Sequence, residues 1–407
     1  MKDLKHLYYF EKLLDDANNE LVREAQKNGR LAIGYTCYHM PEVLLNLGNC
    51  FSVRLRAPRT GSMELASYYM SSGSCEYSRA LLERGLEGGY RFLDALAGVD
   101  ACEAMNRAME NMELLQVNSP DKKNFFYTNL DIPCTDDEDA VQHVKEQVSR
   151  KVLKNLHEKY GVDISDSAIR KAVEEHNVIC RLFKEMDVYR HLDNPTITGY
   201  EFAVFVLASY VCPKDLLIDK LQETVEELKT READKKKTFR IKAVVVGSEI
   251  DDPDLIKLFE ENGVRVVCDR FCYGSLPGRQ EIILNDKEDV LTQVVRNYIL
   301  TTECPRQCIP HKVKYRQQHA NDLVKEYNAD GIIYEQMKFC TYWSYERTLA
   351  SHVLRDEYNV PTLSIDRPYR SGNSGQLRTR VQAFVENVEI KKIKAEREKK
   401  AAAKEAK

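Results

Sequence analysis

The chain has 407 residues, enough for two or three domains. With 43% hydrophobic and 30% charged residues, a net charge of −4 and a pI near 6.2, it has the composition of a folded globular protein and lacks the basic excess of a nucleic-acid binder. No apolar run approaches the roughly 20 residues of a membrane span, and the charged opening stretch lacks the apolar core of a secretion signal. The expectation is a cytoplasmic protein with no membrane and no nucleic-acid partner.

Residues 1–28 read as an N-terminal helix with Leu4, Leu7, Phe10, Leu13 and Leu14 on one face. An α/β region follows over 29–137. It has a strand at Leu31–Tyr35, a helix opened by Pro41 and closed by Gly48, and a strand at Phe51–Leu55. A helix over Tyr77–Leu96 and a strand at Phe125–Leu130 complete it. Residues 138–235 carry helical periodicity with breaks near Gly161, Asn194-Pro195 and Pro213, and end in the charged linker Arg231–Lys237.

Over 236–390 the α/β pattern returns. Strands are expected at Lys242–Val246, Val264–Val267, Gly331–Tyr334 and Thr362–Ile365. Between them lie a helix from Pro253 to Asn262-Gly263 and helices at Asp286–Leu300, Val313–Tyr327 and Trp343–Tyr358, with a last one from Gly375 to about Glu389. The tail, 391–407, is a solvated helix or a disordered segment.

The two α/β regions read as a distant repeat. Ile33-Gly34, Pro41 and Gly48 correspond to Val246-Gly247, Pro253 and Gly263. In each region a cysteine, Cys102 or Cys340, then precedes a helix that leads to a strand ending in Asp-x-Pro, at Asp131–Pro133 and Asp366–Pro368. Alternating strands and helices imply two Rossmann-like parallel-sheet domains with a helical segment between them. Ligands bind such sheets outside the carboxyl ends of the strands, so two facing domains would bring Cys102 and Cys340 to one cleft.

Twelve cysteines are many for a compartment that disfavours disulfides, and they point to metal or redox chemistry. Cys50, Cys180 and Cys212 sit in apolar stretches and read as small buried hydrophobes. Cys75, Cys102 and Cys340 each precede a helix, where orphan N–H groups and the helix dipole favour a thiolate. Three converging thiolates would leave one iron of a [4Fe–4S] cube open to a substrate, whereas electron-carrying cubes have four cysteines. A second group is Cys268-x3-Cys272 and Cys304-x3-Cys308, for which iron–sulfur, zinc and no metal are the alternatives. His39, beside Cys37 and Glu42, is either an acid–base group facing the cleft or a surface or capping histidine, and His311 and His319 are expected to be solvated. Trp343 suits packing around a cluster or an ordinary core. No phosphate-binding loop occurs, so no nucleotide is bound by this chain and any ATP would belong to a partner.

These residues resemble a known family over about 25–390: the D-component subunits of 2-hydroxyacyl-CoA dehydratases, with the related benzoyl-CoA reductase subunits and the double-cubane cluster proteins. The resemblance rests on Tyr35-Thr-Cys-Tyr-His-Met-Pro-Glu42, Ser74-Cys75, Cys102, the Lys242–Gly247 strand, Gln336-Met-Lys-Phe-Cys340 and Gln376-Leu-Arg-Thr-Arg-Val-Gln-Ala-Phe384. It implies a [4Fe–4S] cluster on Cys75, Cys102 and Cys340. It also implies an ATP-hydrolysing activator, carrying its own [4Fe–4S] cluster, that delivers a low-potential electron, and a homodimer or a heterodimer with a homologous subunit. Cys272, Cys304 and Cys308 resemble the double-cubane branch, implying two bridged cubes that reduce a small substrate. The pair spacing departs from that branch, and Cys268 rivals Cys272. The alternatives are a dehydratase subunit with one cube, eliminating water from a CoA thioester through a ketyl radical, and a non-catalytic metal-stabilised scaffold or electron relay.

Overall fold

The computed structural model describes the whole chain except residues 59, 119–121, 370–373 and 406–407. Two four-stranded, all-parallel sheets carry it. The first has the order β2-β1-β3-β4, with β1 Leu31–Tyr35, β2 Cys50–Arg54, β3 Ala95–Asp100 and β4 Phe126–Asp131. The second has the order β6-β5-β7-β8, with β5 Ile241–Gly247, β6 Val264–Phe271, β7 Gly331–Met337 and β8 Thr362–Arg367. The orders are the same once the numbering is shifted, so the expected repeat is present in the topology.

Chemistry explains the central strands. β5 (IKAVVVG) and β7 (GIIYEQM) are buried at every position, the pattern of parallel strands covered by helices on both faces. A Cβ on Gly247 would stand 2.6 Å from the Glu335 carboxylate and 3.1 Å from its carbonyl, so only glycine fits there. That closeness lets Glu335 accept both the Ser248 N–H and its hydroxyl at 2.9 Å, which fixes the start of the loop after β5.

The helices around the first sheet include α1 Leu7–Leu13, α2 Glu20–Lys27, α3 Glu76–Leu86 and α4 Glu103–Leu114. The middle of the chain is helical as expected: α5 Glu138–Val148, α6 Lys154–Tyr160, α7 Asp166–Asp187, α8 Gly199–Val211 and α9 Ile218–Thr230. α8 is buried all round and opens with a Thr198–Glu201 capping box. It packs against the edge strands β2 and β6 and so joins the two sheets. Around the second sheet lie α10 Pro253–Glu261, α11 Val290–Thr301, α12 Pro310–Glu326, α13 Thr341–Asp356 and α14 Gly375–Glu405.

A buried ionic knot locks these parts together. Glu42 meets Lys214 at 2.5 Å and Arg279 at 2.8 Å, and Arg279 also donates to the Ser209 hydroxyl at 2.7 Å. All three charges are almost fully buried. Losing one partner of such a knot costs roughly 3–5 kcal/mol, because an uncompensated charge is left inside.

Three sequence expectations need correction. The helix expected between Pro41 and Gly48 is a single 3-10 turn, Glu42–Leu45. The first 28 residues form α1 and α2, because the Asn19 side chain caps a new helix by accepting the Val22 N–H. The expected helix over Tyr77–Leu96 stops at Leu86, Gly88 turns the chain with φ +81°, and β3 follows. No described helix is long and apolar enough to cross a membrane.

His176 on α7 offers a test of the packing. It is buried, its Nε2 lies 3.1 Å from the Gln280 carbonyl oxygen, and burial with the nearby Arg279 charge lowers its pKa to about 4. The unfolded chain therefore binds a proton that the folded one refuses, and stability falls as pH drops from about 6.5 towards 4. Urea denaturation should show wild type losing roughly 2 kcal/mol more than His176→Gln between pH 7 and pH 5. Equal losses would contradict this burial.

Candidate functional site

Both sheets reverse their order at equivalent places. β1 and β3 lie side by side but lead to opposite edges, as do β5 and β7, and a crevice opens above the carboxyl ends of each pair. The loops above the two crevices meet. The Glu76 N–H donates to the Lys338 carbonyl at 3.3 Å, and the Tyr38 hydroxyl lies 2.7 Å from the Thr301 hydroxyl. Arg54, at the end of β2, donates to the Cys272 carbonyl, and Arg306 donates to the Pro133 carbonyl at 3.0 Å and the Asp100 carbonyl at 3.3 Å.

Cys75, Cys102 and Cys340 are the residues just before α3, α4 and α13. They come from three separate segments and meet at this junction. The thiols of Cys75 and Cys340 lie next to each other, and Cys102 lies within electrostatic reach of both. The Cys340 thiol lowers the pKa of Cys75 against the cost of burial, with help from the N–H groups of Tyr77 and Ser78. The neighbouring Cys75 and burial raise Cys340, although the Trp343 N–H pulls the other way. Burial and the neighbouring Cys75 raise Cys102, opposed by the Met105 N–H. None of the three sulfurs closes a full capping hydrogen bond, so the first-turn N–H groups still face the junction.

A second set of thiols lies beside the first. Burial and the nearby Cys304 push Cys37 up to about 12. Burial, Glu249 and Cys304 raise Cys272. Cys304 is raised by burial, against the Arg306 N–H. Cys272 and Cys304 line a cavity of about 30 Å³ with Tyr38 and Trp343, room for about one water. The Cys272 thiol lies beside the carboxyl of Glu249, whose pKa burial raises to about 7 against Arg54 at 3.5 Å.

Among the described residues, no three His, Cys, Asp or Glu side chains are close enough to hold a single metal ion. The donors at the junction are soft cysteine sulfurs on positive helix ends, which as thiolates suit iron–sulfur clusters. A cluster of several irons reaches its ligands over a wider span than one ion does.

A family model described as 2-hydroxyglutaryl-CoA dehydratase, D-component, matches residues 37–388. The chain belongs to this D-component family. It is 24% identical to the (R)-phenyllactyl-CoA dehydratase beta subunit of Clostridium sporogenes, over 93% of this chain and 97% of that protein. It is 23% identical to the beta subunit of (R)-2-hydroxyglutaryl-CoA dehydratase of Acidaminococcus fermentans, over 90% and 95%. A putative dehydratase subunit of Escherichia coli K12, YjiM, is 22% identical over 90% and 93%.

Within this D-component chain the other expected residues divide. Cys268 is fully buried on β6 beside Arg190, Asp187 and Tyr327, while Cys272 stands with the junction thiols. Cys308 is exposed, and so is Cys134. Cys50, Cys180 and Cys212 are buried as expected. His39 is neither a surface nor a capping residue: it is 1% exposed, its Nδ1 lies 3.5 Å from Cys37 Sγ and its Nε2 lies 3.3 Å from the Thr302 hydroxyl. Burial and the charge of Arg306 lower its pKa to about 3, which keeps it neutral. His311 is exposed, pairing with Asp136 at 2.9 Å, whereas His319 is partly buried against Glu303 at 2.8 Å. Trp343 is buried and lines the small cavity.

Sequence reasoning missed Cys37 and Glu249 as members of this site. Each lies two or three residues beyond a strand glycine, Gly34 or Gly247, at the carboxyl end that the strand rule singles out. Thiol labelling tests the placement. In the metal-free protein, iodoacetamide should modify Cys134 and Cys308 first and leave Cys268 and Cys212 intact until urea unfolds the chain. Early modification of Cys268 in peptide mass spectra would contradict it.

Proposed function

We propose that this chain is the iron–sulfur component of an activator-dependent enzyme of the 2-hydroxyacyl-CoA dehydratase and benzoyl-CoA reductase type. Cys75, Cys102 and Cys340 would hold a [4Fe–4S] cluster, and Cys272, Cys304 and Cys308 a second cube bridged to it. The observation that carries this reading is the convergence of three pre-helical thiols from both sheets at one junction. When bound, such a cluster supplies one-electron reduction and an iron with an open position.

The protein's own residues give that chemistry its setting. The N–H groups of Tyr77, Ser78, Met105 and Trp343 favour the thiolate forms that bind iron. Glu249 is placed to hold or move a proton at Cys272 Sγ. Tyr77 and Tyr273, whose hydroxyls lie 2.8 Å apart, are buried and help exclude water. The electron would come from an ATP-hydrolysing activator with its own cluster, since this sequence has no phosphate-binding loop. A homologous subunit, identical or different, would complete the assembly, in line with the beta-subunit names of two relatives.

A second reading, one cube in a water-eliminating subunit, is favoured by those dehydratase names. The sixth ligand also has a rival, because half-buried Cys37 lies beside Cys304 while Cys308 is exposed. Anaerobic purification with iron and acid-labile sulfide counting separates these readings. About eight irons per chain supports two cubes and about four supports one. Cys75→Ser should lower iron under both readings, and Cys272→Ser only under the first. Cys37→Ser against Cys308→Ser identifies the sixth ligand. Zinc without sulfide would overturn the proposal.

A further inference from the structure

Arg54 ends β2 and is among the most deeply buried arginines, with Arg190, Arg270, Arg316 and Arg367. Those four each hold a carboxylate oxygen at close range. Arg190 meets Asp269 at 2.5 Å, Arg270 meets Glu303 at 2.7 Å, and Arg316 and Arg367 meet Glu346 and Glu335 at 2.8 Å. Arg54 is held differently. Its carboxylate partner, Glu249, lies at 3.5 Å and is reached by solvent. Three tyrosine rings surround the guanidinium instead, with centroids at 3.9 Å for Tyr273, 5.2 Å for Tyr210 and 5.9 Å for Tyr35.

The two ways of holding a buried cation have different electrostatic results. A carboxylate in contact cancels the charge. Aromatic rings attract it through their quadrupole and leave the net charge in place. In a water-poor interior that charge is felt by its neighbours far more strongly than in water.

The neighbours of Arg54 are one set of thiols. It donates to the Cys272 carbonyl, and its charge favours the thiolate forms of Cys272 and Cys37. Arg306, whose guanidinium is tied to three backbone carbonyls, does the same for Cys304. Cys75, Cys102 and Cys340 are governed chiefly by one another, by burial and by helix N–H groups. The two sets of thiols therefore share a junction and differ in their electrostatic setting.

A cluster on thiolates carries net negative charge and gains more on reduction, so a fixed cation beside it favours the reduced form. We propose that Arg54 is the fixed counter-charge of the second cube, on the Cys272 side, and makes it the easier of the two cubes to reduce. The inference rests on the two-cube reading above.

Redox potentiometry followed by electron paramagnetic resonance tests this, on the anaerobically purified full-length chain at one pH and with its iron counted. In Arg54→Gln the equilibrium constant of the first reduction step should fall about tenfold, a shift of about 59 mV to lower potential for one electron. Arg54→Lys, which keeps the charge, should recover most of that shift. Should Arg54→Gln fail to fold or to hold iron, the double variant Arg54→Gln/Glu249→Gln, which leaves neither charge of the pair behind, is compared with Glu249→Gln and should show the same fall. Where wild type and variant both hold about eight irons, an unmoved or raised potential overturns this inference and leaves the two-cube reading standing. Loss of iron from the double variant as well overturns it in favour of a structural role for Arg54. About four irons in wild type overturns the two-cube reading and this inference with it.

Discussion

Parallel strands end in carbonyl groups that no further strand can pair, and this protein satisfies several of them with guanidinium groups from the opposite half. Arg54 and Arg56, at and just beyond the end of β2, reach the Cys272 and Asp251 carbonyls. Arg306 reaches back to the carbonyls of Asp100, Ile132 and Pro133 beyond β3 and β4. All three side chains are buried or nearly so, where an unpaired acceptor is costly and a charged donor is strong. The orientation of the two sheets, carboxyl end towards carboxyl end, rests on these bonds.

From that orientation the site follows. Each sheet sends its crevice loops to the same junction, and in each a cysteine stands immediately before a helix. Cys75 enters from the long connection after β2 and is held against Cys340 by the backbone bond between Glu76 and Lys338. Arg306 plays two parts, because it lies between Cys304 and Cys308 in sequence and anchors their loop to the first sheet. The junction thus draws on both repeats, and neither sheet alone supplies the thiols.

Much of this was legible in the sequence because it depends on local rules. Parallel strands buried on both faces read as short apolar runs, and Pro253 and the Asn262-Gly263 pair mark helix ends. The three junction thiols were legible from their places before helices. What escaped depends on contacts between distant segments. β3 hid inside an apparent helix because Phe92, Leu93, Ala95 and Leu96 are apolar on both faces and show no alternation, while Gly88-Gly89 was the break signal. His39 looked like a surface residue from its polar loop, but Thr302 from the other half covers it. Glu249 and Cys37 carry no motif: the pairing of β5 with β6 brings Glu249 beside Cys272, and the meeting of the two crevices brings Cys37 beside Cys304.

The central claim is that thiols more than 260 residues apart in sequence are neighbours at one junction. Brief oxidation of the metal-free chain with diamide, followed by peptide mass spectrometry without reduction, tests it most directly. The account predicts a cross-link joining the peptides of Cys75 and Cys340, and its suppression once iron and sulfide are restored. Oxidised protein in which Cys75 and Cys340 stay unlinked would contradict it.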